Sequence, residues 1–378
     1  MRYDLLARID FVLQNVAITL RRDDGGKDNS VISCLMLKSL IASPTGGVRN
    51  IGTTCVMLLP LARLSRLIVK GKDRAKYLHN FCTNNIKELP SGKACEAFFC
   101  DVKARVIAHG YVLALDDCHE IWMLGGDEPG ILKHLNRYII TEDVTIQSAT
   151  ETTSAVAAIG SASSQSLLAA VRATSNLDNP VNASTADSLL KEPLSCIKIA
   201  SQNGTAVPFA AVAMCLSWAD TPMLWFAKPR DSNVVIPTEN VSAAESQFEQ
   251  LRMRERFPII NQDMSIENMA PEAERNAATI SYVKGCYLGQ EPIARLDAMG
   301  HVNRALRCVE SKAPAAQIMG TSILTEGDST IGTVTSAAST DHGSIGLAML
   351  RTNAFEKPLH VIVDGQSVAI GKAAELKS

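Results

Sequence analysis

The sequence predicts an α+β protein in which two similar α+β units are followed by a small β-barrel. A pattern of strand, glycine and helix occurs twice, with Gly71 seven residues before Leu78 and Gly160 seven residues before Leu167. After Arg304 the chain changes to short strands separated by Gly, Ser and Thr turns, which is typical of a small barrel. A chain of 378 residues is long enough for two or three domains, each with its own core.

The first unit should begin with a strand in RLIVKG that ends at Gly71. A helix in KDRAKYLHNFC follows, with Asp73 as its N-cap. Two strands surround a turn near 102–104 in AFFCDVKARVIAHGYVLAL, and EIWMLG adds a third strand. A helix over 129–136 then leads into a further strand in RYIITEDVTIQ.

The second unit should begin with a strand and a helix in AVAAIGSASSQSLLAAV. The polar residues of 172–206 predict a long surface loop before strands in VPFAAVAMCLSW and MLWFAK, and an amphipathic helix is expected over 242–256. ATISYVKGCYLGQEPIARL then predicts a strand through Thr279–Val283, a tight turn and a helix that starts near Gln290. The resulting domains are an N-terminal extension at 1–56, the first α+β unit at 57–150, the second at 151–304 and the barrel at 305–378.

Composition excludes several classes of protein. The chain is 46% hydrophobic and 20% charged, as ordinary globular proteins are, and its net charge of −2 gives no broad electrostatic footprint for nucleic acid. The ten cysteines include no C-x2-C pair and the seven histidines do not cluster with them, so no metal site is predicted. We expect a monomer with reduced thiols and no membrane partner, in the cytoplasm or, alternatively, in the mitochondrial matrix.

The N-terminal extension mixes arginines with aspartates, and its most apolar stretch, VISCLMLKSLIAS, is too short and interrupted to span a bilayer. Transit peptides are poor in acidic residues, which counts against a mitochondrial address. The extension is therefore interpreted either as poorly ordered or as upstream sequence translated in error, with the working start at Met57.

The stretch KGCYLGQE, at 284–291, carries the strongest chemical signal. Cys286 should lie just ahead of a helix N-terminus and two residues after Lys284, and both features favour thiolate over thiol. Gly285 and Gly289 would let the backbone turn tightly and let a ligand approach it. Spacing alone leaves two interpretations open, an exposed activated thiol in a ligand-lined cleft or a buried turn cysteine beside a surface lysine.

This stretch resembles the hallmark of the YgfZ family, K-G-C-[FY]-x-G-Q-E followed by A-R. The matching residues are Lys284, Gly285, Cys286, Tyr287, Gly289, Gln290, Glu291, Ala294 and Arg295. The segments VKGKDRAKYLHNFCTNNI, HLNRYIITEDVTI, LRMRERFPIINQDMSIENMAPEA, GHVNRAL and IGTVTSAA are similar to the rest of the family pattern in the same order. The resemblance covers about 64–378.

The family consists of folate-binding relatives of the glycine cleavage T-protein that support iron–sulfur proteins. The resemblance implies two α+β domains and a barrel around a central folate cleft. It also implies tetrahydrofolate or another reduced folate as cofactor, and partners among [4Fe–4S] proteins, including enzymes that thiolate tRNA. Cys286 would be the reactive group, with Lys284 as its electrostatic neighbour. The expected cofactor-binding residues are Arg252, Gln290, Glu291, Tyr287, Gly285, Gly289 and Asn84.

Two of these assignments have structural alternatives. Arg252 resembles the T-protein arginine that contacts folate, but it could equally be a helix-surface arginine paired with Glu249 or Glu255. Asn84 could hydrogen-bond a pterin or simply end a helix.

The chain also departs from the family pattern. Arg254 and Arg256 stand where the family has a glutamate and a glycine, and KARVIAHGYV lacks the carboxylate that activates folate in the T-protein. Aminomethyl transfer in glycine cleavage is therefore not expected. The main hypothesis is a folate-binding accessory protein for iron–sulfur proteins. The alternatives are a folate-dependent one-carbon transferase or demethylase, and a folate store, which a buried Cys286 would favour.

Overall fold

The computed structural model describes residues 56–174, 188–199, 210–232, 241–325, 329–354 and 357–372. The predicted N-terminal extension lies outside these residues except for its last position, and so does much of the loop predicted at 172–206.

The strands are β1 Leu58–Pro60, β2 Leu64–Lys70, β3 Lys93–Cys100, β4 Val106–Ala114, β5 His119–Leu124, β6 Thr145–Ser148, β7 Thr153–Ile159, β8 Cys196–Ile199, β9 Ala211–Trp218, β10 Thr221–Pro229, β11 Arg304–Ser311, β12 Ser322–Thr325, β13 Thr330–Thr340, β14 Gly343–Arg351, β15 Leu359–Val363 and β16 Gln366–Lys372. The helices are α1 Arg74–Phe81, α2 Glu128–Asn136, α3 Ser161–Thr174, α4 Val241–Arg254, α5 Asn276–Thr279, α6 Gln290–Met299 and α7 Ala315–Ile318, with 3-10 turns at Ala270–Ala273 and Thr352–Ala354.

The first sheet is antiparallel, with strand order β3-β4-β5-β2-β6. Helices α1 and α2 cover one of its faces, where Leu78 and Leu135 join Ile121 in a fully buried core. The strands and helices predicted for this unit are confirmed, but most of RYIITEDVTIQ forms turns and only 145–148 is a strand. Asp73 stands at the N-cap of α1 without a side-chain cap bond, because its carboxylate accepts a hydrogen bond from the amide of Asp143.

The second sheet is also antiparallel, with strand order β1-β7-β10-β9-β8. Residues 58–60, expected within the first unit, pair with β7 here. Strand β8 lies within the stretch predicted as a surface loop. Helix α3 covers the outer face through Leu167 and Leu168.

The two sheets pack face to face around the largest apolar core. Trp122 of the first sheet and Trp225 of the second are both fully buried there, and α4 contributes Phe248. The indole N–H of Trp218 donates to the hydroxyl of Tyr111 across this interface, at 3.0 Å. Since aromatic side chains bury large areas, this junction fixes how the two units sit against each other.

The C-terminal strands form a closed barrel in the order β11-β14-β13-β12-β15-β16, as the sequence predicts. Its interior is filled by aliphatic side chains such as Val334 and Val361. A second apolar cluster, which includes Met253 of α4 and Leu347 of β14, fastens the outside of the barrel to the rest of the chain.

The prediction of a strand at Thr279–Val283 is wrong. Residues 276–279 form α5, and 280–289 follow an irregular path before α6 begins at Gln290, where a helix was expected.

His119 should make stability depend on pH. It is 5% exposed, neither ring nitrogen has a hydrogen-bond partner among the residues that the structure describes, and burial, assisted by Arg74, lowers its pKa to about 4. The unfolded chain then binds more protons between pH 6.5 and 4, so the free energy of unfolding falls as the pH falls through that window, by up to about 3 kcal/mol. Urea unfolding at several pH values measures this slope. His119→Leu should flatten it, and equal slopes in the two proteins would contradict the assignment.

Candidate functional site

The segment 281–288, which contains most of the hallmark, is fastened to the C-terminal end of α1. The amide of Ser281 donates to the carbonyl of Thr83 at 3.0 Å, and the amide of Leu288 donates to the carbonyl of Asn80 at 2.9 Å. The last carbonyls of a helix have no partner within the helix. This segment supplies partners for that end of α1.

Lys284 makes the central contact of this junction. Its ammonium donates to the carbonyl oxygens of His79, Cys82 and Asn84 at 2.5, 2.8 and 2.7 Å, and the side chain is 7% exposed. It also lies 4.7 Å from the ring centroid of Tyr287. A cation at a helix C-terminus is stabilised by the helix dipole.

The interpretation of Lys284 as the electrostatic neighbour of Cys286 therefore needs correction. Its ammonium is engaged by three backbone carbonyls, and the thiols that influence its titration are Cys82 and Cys95. Burial lowers the pKa of Lys284, and those two thiols oppose the shift. The sequence could not distinguish a lysine that activates a thiol from one that caps a helix.

Cys286 is exposed. It lies in a short outward bulge with Gly285, between the buried side chains of Lys284 and Tyr287. Tyr287 packs in a cluster with Phe98 of β3 and Ile293 of α6. Of the two interpretations of this cysteine, the structure favours the exposed thiol.

Gly289 closes the bulge. Its φ of +83° lies in the left-handed region, and a Cβ there would lie 2.6 Å from the carbonyl oxygen of Asp101. Asp101 begins the turn between β3 and β4, and its carboxylate accepts from the amides of Lys103 and Arg105 at 2.8 Å. Only glycine allows the chain to enter α6 this close to that turn.

Gln290 and Glu291 open α6. Glu291 is exposed and Gln290 is partly exposed. They lie in the first turn of the helix, as expected.

Asn84 joins the first sheet to α5. Its side-chain amide donates to the carbonyls of Glu96 and Ala278, at 2.8 and 2.9 Å, and its side-chain oxygen accepts from the amide of Asn85 at 2.8 Å. Both amide protons are used within the protein. The structural alternative for this residue therefore has the better support.

Arg252 needs a correction too. Its side chain is 0% exposed, and its guanidinium donates to the carboxylate of Asp263 at 2.7 Å and to the hydroxyl of Ser336 on β13 at 2.8 Å. Further bonds run to Glu249 at 2.8 Å and to the carbonyl of Phe257 at 2.9 Å. The expected partner Glu249 is present, but the arginine is buried between α4 and the barrel and is not open to a folate tail.

A buried ionic cluster at the centre of the molecule was missed. The carboxylate of Glu96 on β3 is 4% exposed and accepts two hydrogen bonds from Arg275, at 2.6 and 2.7 Å. It also bonds to the ring Nε2 of His109 on β4 at 2.7 Å, while His109 Nδ1 lies 3.2 Å from the carbonyl of Pro258. Arg275 contacts the carboxylate of Glu255 at 3.0 Å as well. A single carboxylate within the apolar run KACEAFFC is the signal that could have predicted it.

This cluster bears on the missing T-protein carboxylate. Strand β4 carries none, but its neighbour β3 places Glu96 beside His109. Burial alone would raise the pKa of Glu96, yet the charge and hydrogen bonds of Arg275, with His109, lower it to about 2. A carboxylate held ionised by a bidentate arginine is a poor proton donor at neutral pH.

A cavity of about 1080 Å³ lies elsewhere, between α4 and the barrel, and its lining includes Gln247, Arg254 and Lys312. None of the predicted folate contacts lines it. In the part of the chain that the structure describes, no group of three or more His, Cys, Asp or Glu side chains could hold a metal ion. No helix in those residues is long and apolar enough to cross a membrane.

Two known families match parts of the chain. Residues 51–188 match the family described as GCVT N-terminal domain, and residues 303–376 match the family described as CAF17, C-terminal beta-barrel domain.

Relatives match over most of the chain. A protein of Arabidopsis thaliana, provisionally named a chloroplastic transferase, is 26% identical over 79% of this chain, which spans 66% of that protein. The tRNA-modifying protein YgfZ of Yersinia enterocolitica is 25% identical over 82% of this chain and 89% of its own length. A mitochondrial iron–sulfur cluster assembly factor of Mus musculus is 24% identical over 80% of each chain. Over most of its length the chain is therefore similar to proteins of the YgfZ type.

The fold agrees with this similarity. The glycine cleavage system aminomethyltransferase T from Bartonella henselae has a TM-score of 0.67 to this chain at 12% identity, over 85% of this chain and 86% of its own. The predicted T-protein-like architecture is confirmed by that likeness and by the closed C-terminal barrel.

The departures from the YgfZ family pattern have local explanations. Arg256, at the glycine position, has a φ of +55°, a conformation that glycine adopts more easily, and its guanidinium lies 3.6 Å from Glu274. Arg254, at the glutamate position, reaches the barrel and bonds to Glu310 at 3.2 Å. The backbone at Arg256 therefore keeps the left-handed conformation that the glycine of the family pattern adopts easily at this position.

Arg275→Met tests the central cluster. The variant leaves the carboxylate of Glu96 buried without its cation, so the free energy of unfolding at pH 7 should fall by about 3–5 kcal/mol. Urea denaturation measures the change. Lys93→Met is a matched control, because its ion pair with Glu192 is largely exposed and screened by solvent, so its loss should change the free energy of unfolding little. Equal losses in the two variants would contradict a special role for the buried cluster.

Proposed function

We propose that this protein is a folate-binding accessory factor that supports assembly or repair of iron–sulfur proteins, with Cys286 as its reactive group. The observation that carries the proposal is the exposed thiol in a bulge whose two sides are buried and fastened to the core. A cysteine that only filled space would be buried, as Cys82, Cys100 and Cys215 are.

The names of relatives support the biological role. The tRNA-modifying protein of Yersinia enterocolitica and the iron–sulfur cluster assembly factor of Mus musculus each match about four fifths of the chain. The partners proposed here are therefore [4Fe–4S] client or assembly proteins, including enzymes that modify tRNA. The protein itself acts as a monomer without direct nucleic-acid binding. Its proposed compartment is the cytoplasm, with the mitochondrial matrix as the alternative.

The folate part of the proposal rests on the T-protein-like fold and on the polar groups around the bulge. Gln290 and Glu291 offer an amide and a carboxylate that suit the donor and acceptor edge of a pterin. Arg252 and Asn84, expected to complete the contacts, already have partners within the protein. Gln290 and Glu291 thus fit the pterin edge, whereas Arg252, expected to contact folate, does not fit that role because it is already paired, and no chemical step is assigned to the folate.

The alternatives have less support. A one-carbon transferase or demethylase needs a proton-transferring carboxylate near the folate, and Glu96, the carboxylate that β3 places beside His109 of β4, is held ionised by Arg275. A folate store without a reactive thiol would be favoured by a buried Cys286, and this thiol is exposed.

Tetrahydrofolate should bind with a dissociation constant in the micromolar range, roughly −7 to −9 kcal/mol. Isothermal titration calorimetry measures it. Glu291→Ala should weaken binding because it removes an exposed polar contact at the start of α6, while Glu151→Ala, an exposed glutamate in the turn before β7, is the control. Absence of both heat and thermal stabilisation with every reduced folate tested would remove the folate part of the proposal.

Cys286→Ser should abolish the ability of the protein to support iron–sulfur enzymes, while the fold stays intact. The site is exposed and the change in volume is small, so the free energy of unfolding should change by less than about 1 kcal/mol. Complementation of a deletion strain, read as iron–sulfur enzyme activity, should drop towards the uncomplemented level. Cys308→Ser on β11, a half-buried cysteine, is the control and should complement fully. Full complementation by Cys286→Ser would refute the reactive thiol.

A further inference from the structure

The backbone carbonyls around the end of α1 show which residue holds the bulge in place. Those of His79, Cys82 and Asn84 accept from one ammonium, that of Lys284. Two amides of the same segment bind the carbonyls in between, those of Asn80 and Thr83. Every carbonyl from 79 to 84, apart from that of Phe81, thus accepts a hydrogen bond from a donor in 281–288.

The hydrogen bonds of these two backbone amides alone would leave the middle of the segment unattached to α1. Ser281 and Leu288 are seven residues apart, and in the described structure the hydrogen bonds that reach the end of α1 from between them come from the side chain of Lys284. The exposed pair Gly285 and Cys286 follows Lys284 directly. Removing its ammonium would leave three carbonyls without their donor and would free the middle of the segment.

The same contact covers a second thiol. Cys82 is 1% exposed, its carbonyl accepts from Lys284, and its thiol donates to the carbonyl of Asn84 at 3.4 Å. The ammonium and this thiol therefore share one acceptor oxygen. Cys82 thus reports whether the end of α1 is intact.

We propose that Lys284 is a positioning residue, which caps the C-terminal end of α1 with its ammonium and thereby holds Cys286 outward on a rigid bulge. It acts through the backbone of 79–84 and not by stabilising charge on the sulfur of Cys286. Only the complementation arm of the test below rests on the proposed function, since the other arms measure thiols and amides directly.

A matched control exists elsewhere in the fold. Lys228 on β10 is 8% exposed, and its ammonium also binds backbone carbonyls, those of Pro229 and Ser232, at 3.5 and 3.1 Å. Lys228→Met removes a comparable buried ammonium from the second sheet and leaves the end of α1 unchanged. It separates a loss of stability from a loss of positioning.

The experiment compares Lys284→Met, Lys284→Arg and Lys228→Met with the unmodified protein. Iodoacetamide labelling is resolved by mass spectrometry. In Lys284→Met, labelling of Cys82 should rise roughly tenfold or more because the end of α1 opens locally, while labelling of Cys286 should stay within about twofold. Lys284→Arg keeps a cation and several donors and should restore most of the protection of Cys82. Lys228→Met should leave both thiols unchanged.

Two further readouts keep the test decisive. In the unmodified protein, hydrogen exchange of the Ser281 and Leu288 amides should be slow, and in Lys284→Met it should be faster. Complementation should be lost in Lys284→Met and kept in Lys228→Met. If labelling of Cys286 falls tenfold while Cys82 stays protected, Lys284 acts on the sulfur and the positioning role is wrong. If Lys284→Met does not fold, fast exchange of both amides in the unmodified protein would overturn it.

Discussion

The buried carboxylate of Glu96 is the constraint on which the central part of the structure depends. A charge that is 4% exposed must be paired, and Arg275 and His109 pair it from two different segments. Arg275 in turn binds Glu255, directly after α4. The carboxylate of Glu96 thus links the first sheet to the end of α4 and to the residue that precedes α5. The position at which 276–289 begins is therefore set by this contact.

The hallmark segment starts from this position and is held by further contacts of its own. From α5 the chain crosses the end of α1, where Lys284 and two amides satisfy backbone carbonyls, and it then passes Asp101 at Gly289. Cys286 is exposed between these contacts. Its accessibility therefore results from buried polar interactions on both sides of it, and a flexible loop is not needed to explain it.

Periodicity predicted the regular elements because each buries one apolar face. Strand β2, helix α1 and the barrel follow that rule, and their positions agree with the sequence. The strand expected at Thr279–Val283 does not form because the amides of Thr279 and Ile280 bond to carbonyls of the preceding turn and helix α5 and the amide of Ser281 bonds to Thr83, while Val283 is 95% exposed. The roles of Lys284 and Arg252 depend on residues about 200 and 84 positions away, which no local pattern reveals.

The polar groups around Cys286 are engaged by other groups of the protein. Lys284 is engaged by carbonyls, and Nδ1 of His79 accepts from the amide of Lys87 at 3.3 Å. The carboxylate of Glu96 is paired with Arg275. These contacts engage Lys284, Nδ1 of His79 and Glu96 within the fold, whereas the thiol of Cys286 stays exposed, and that exposure is the feature on which the proposed accessory role rests.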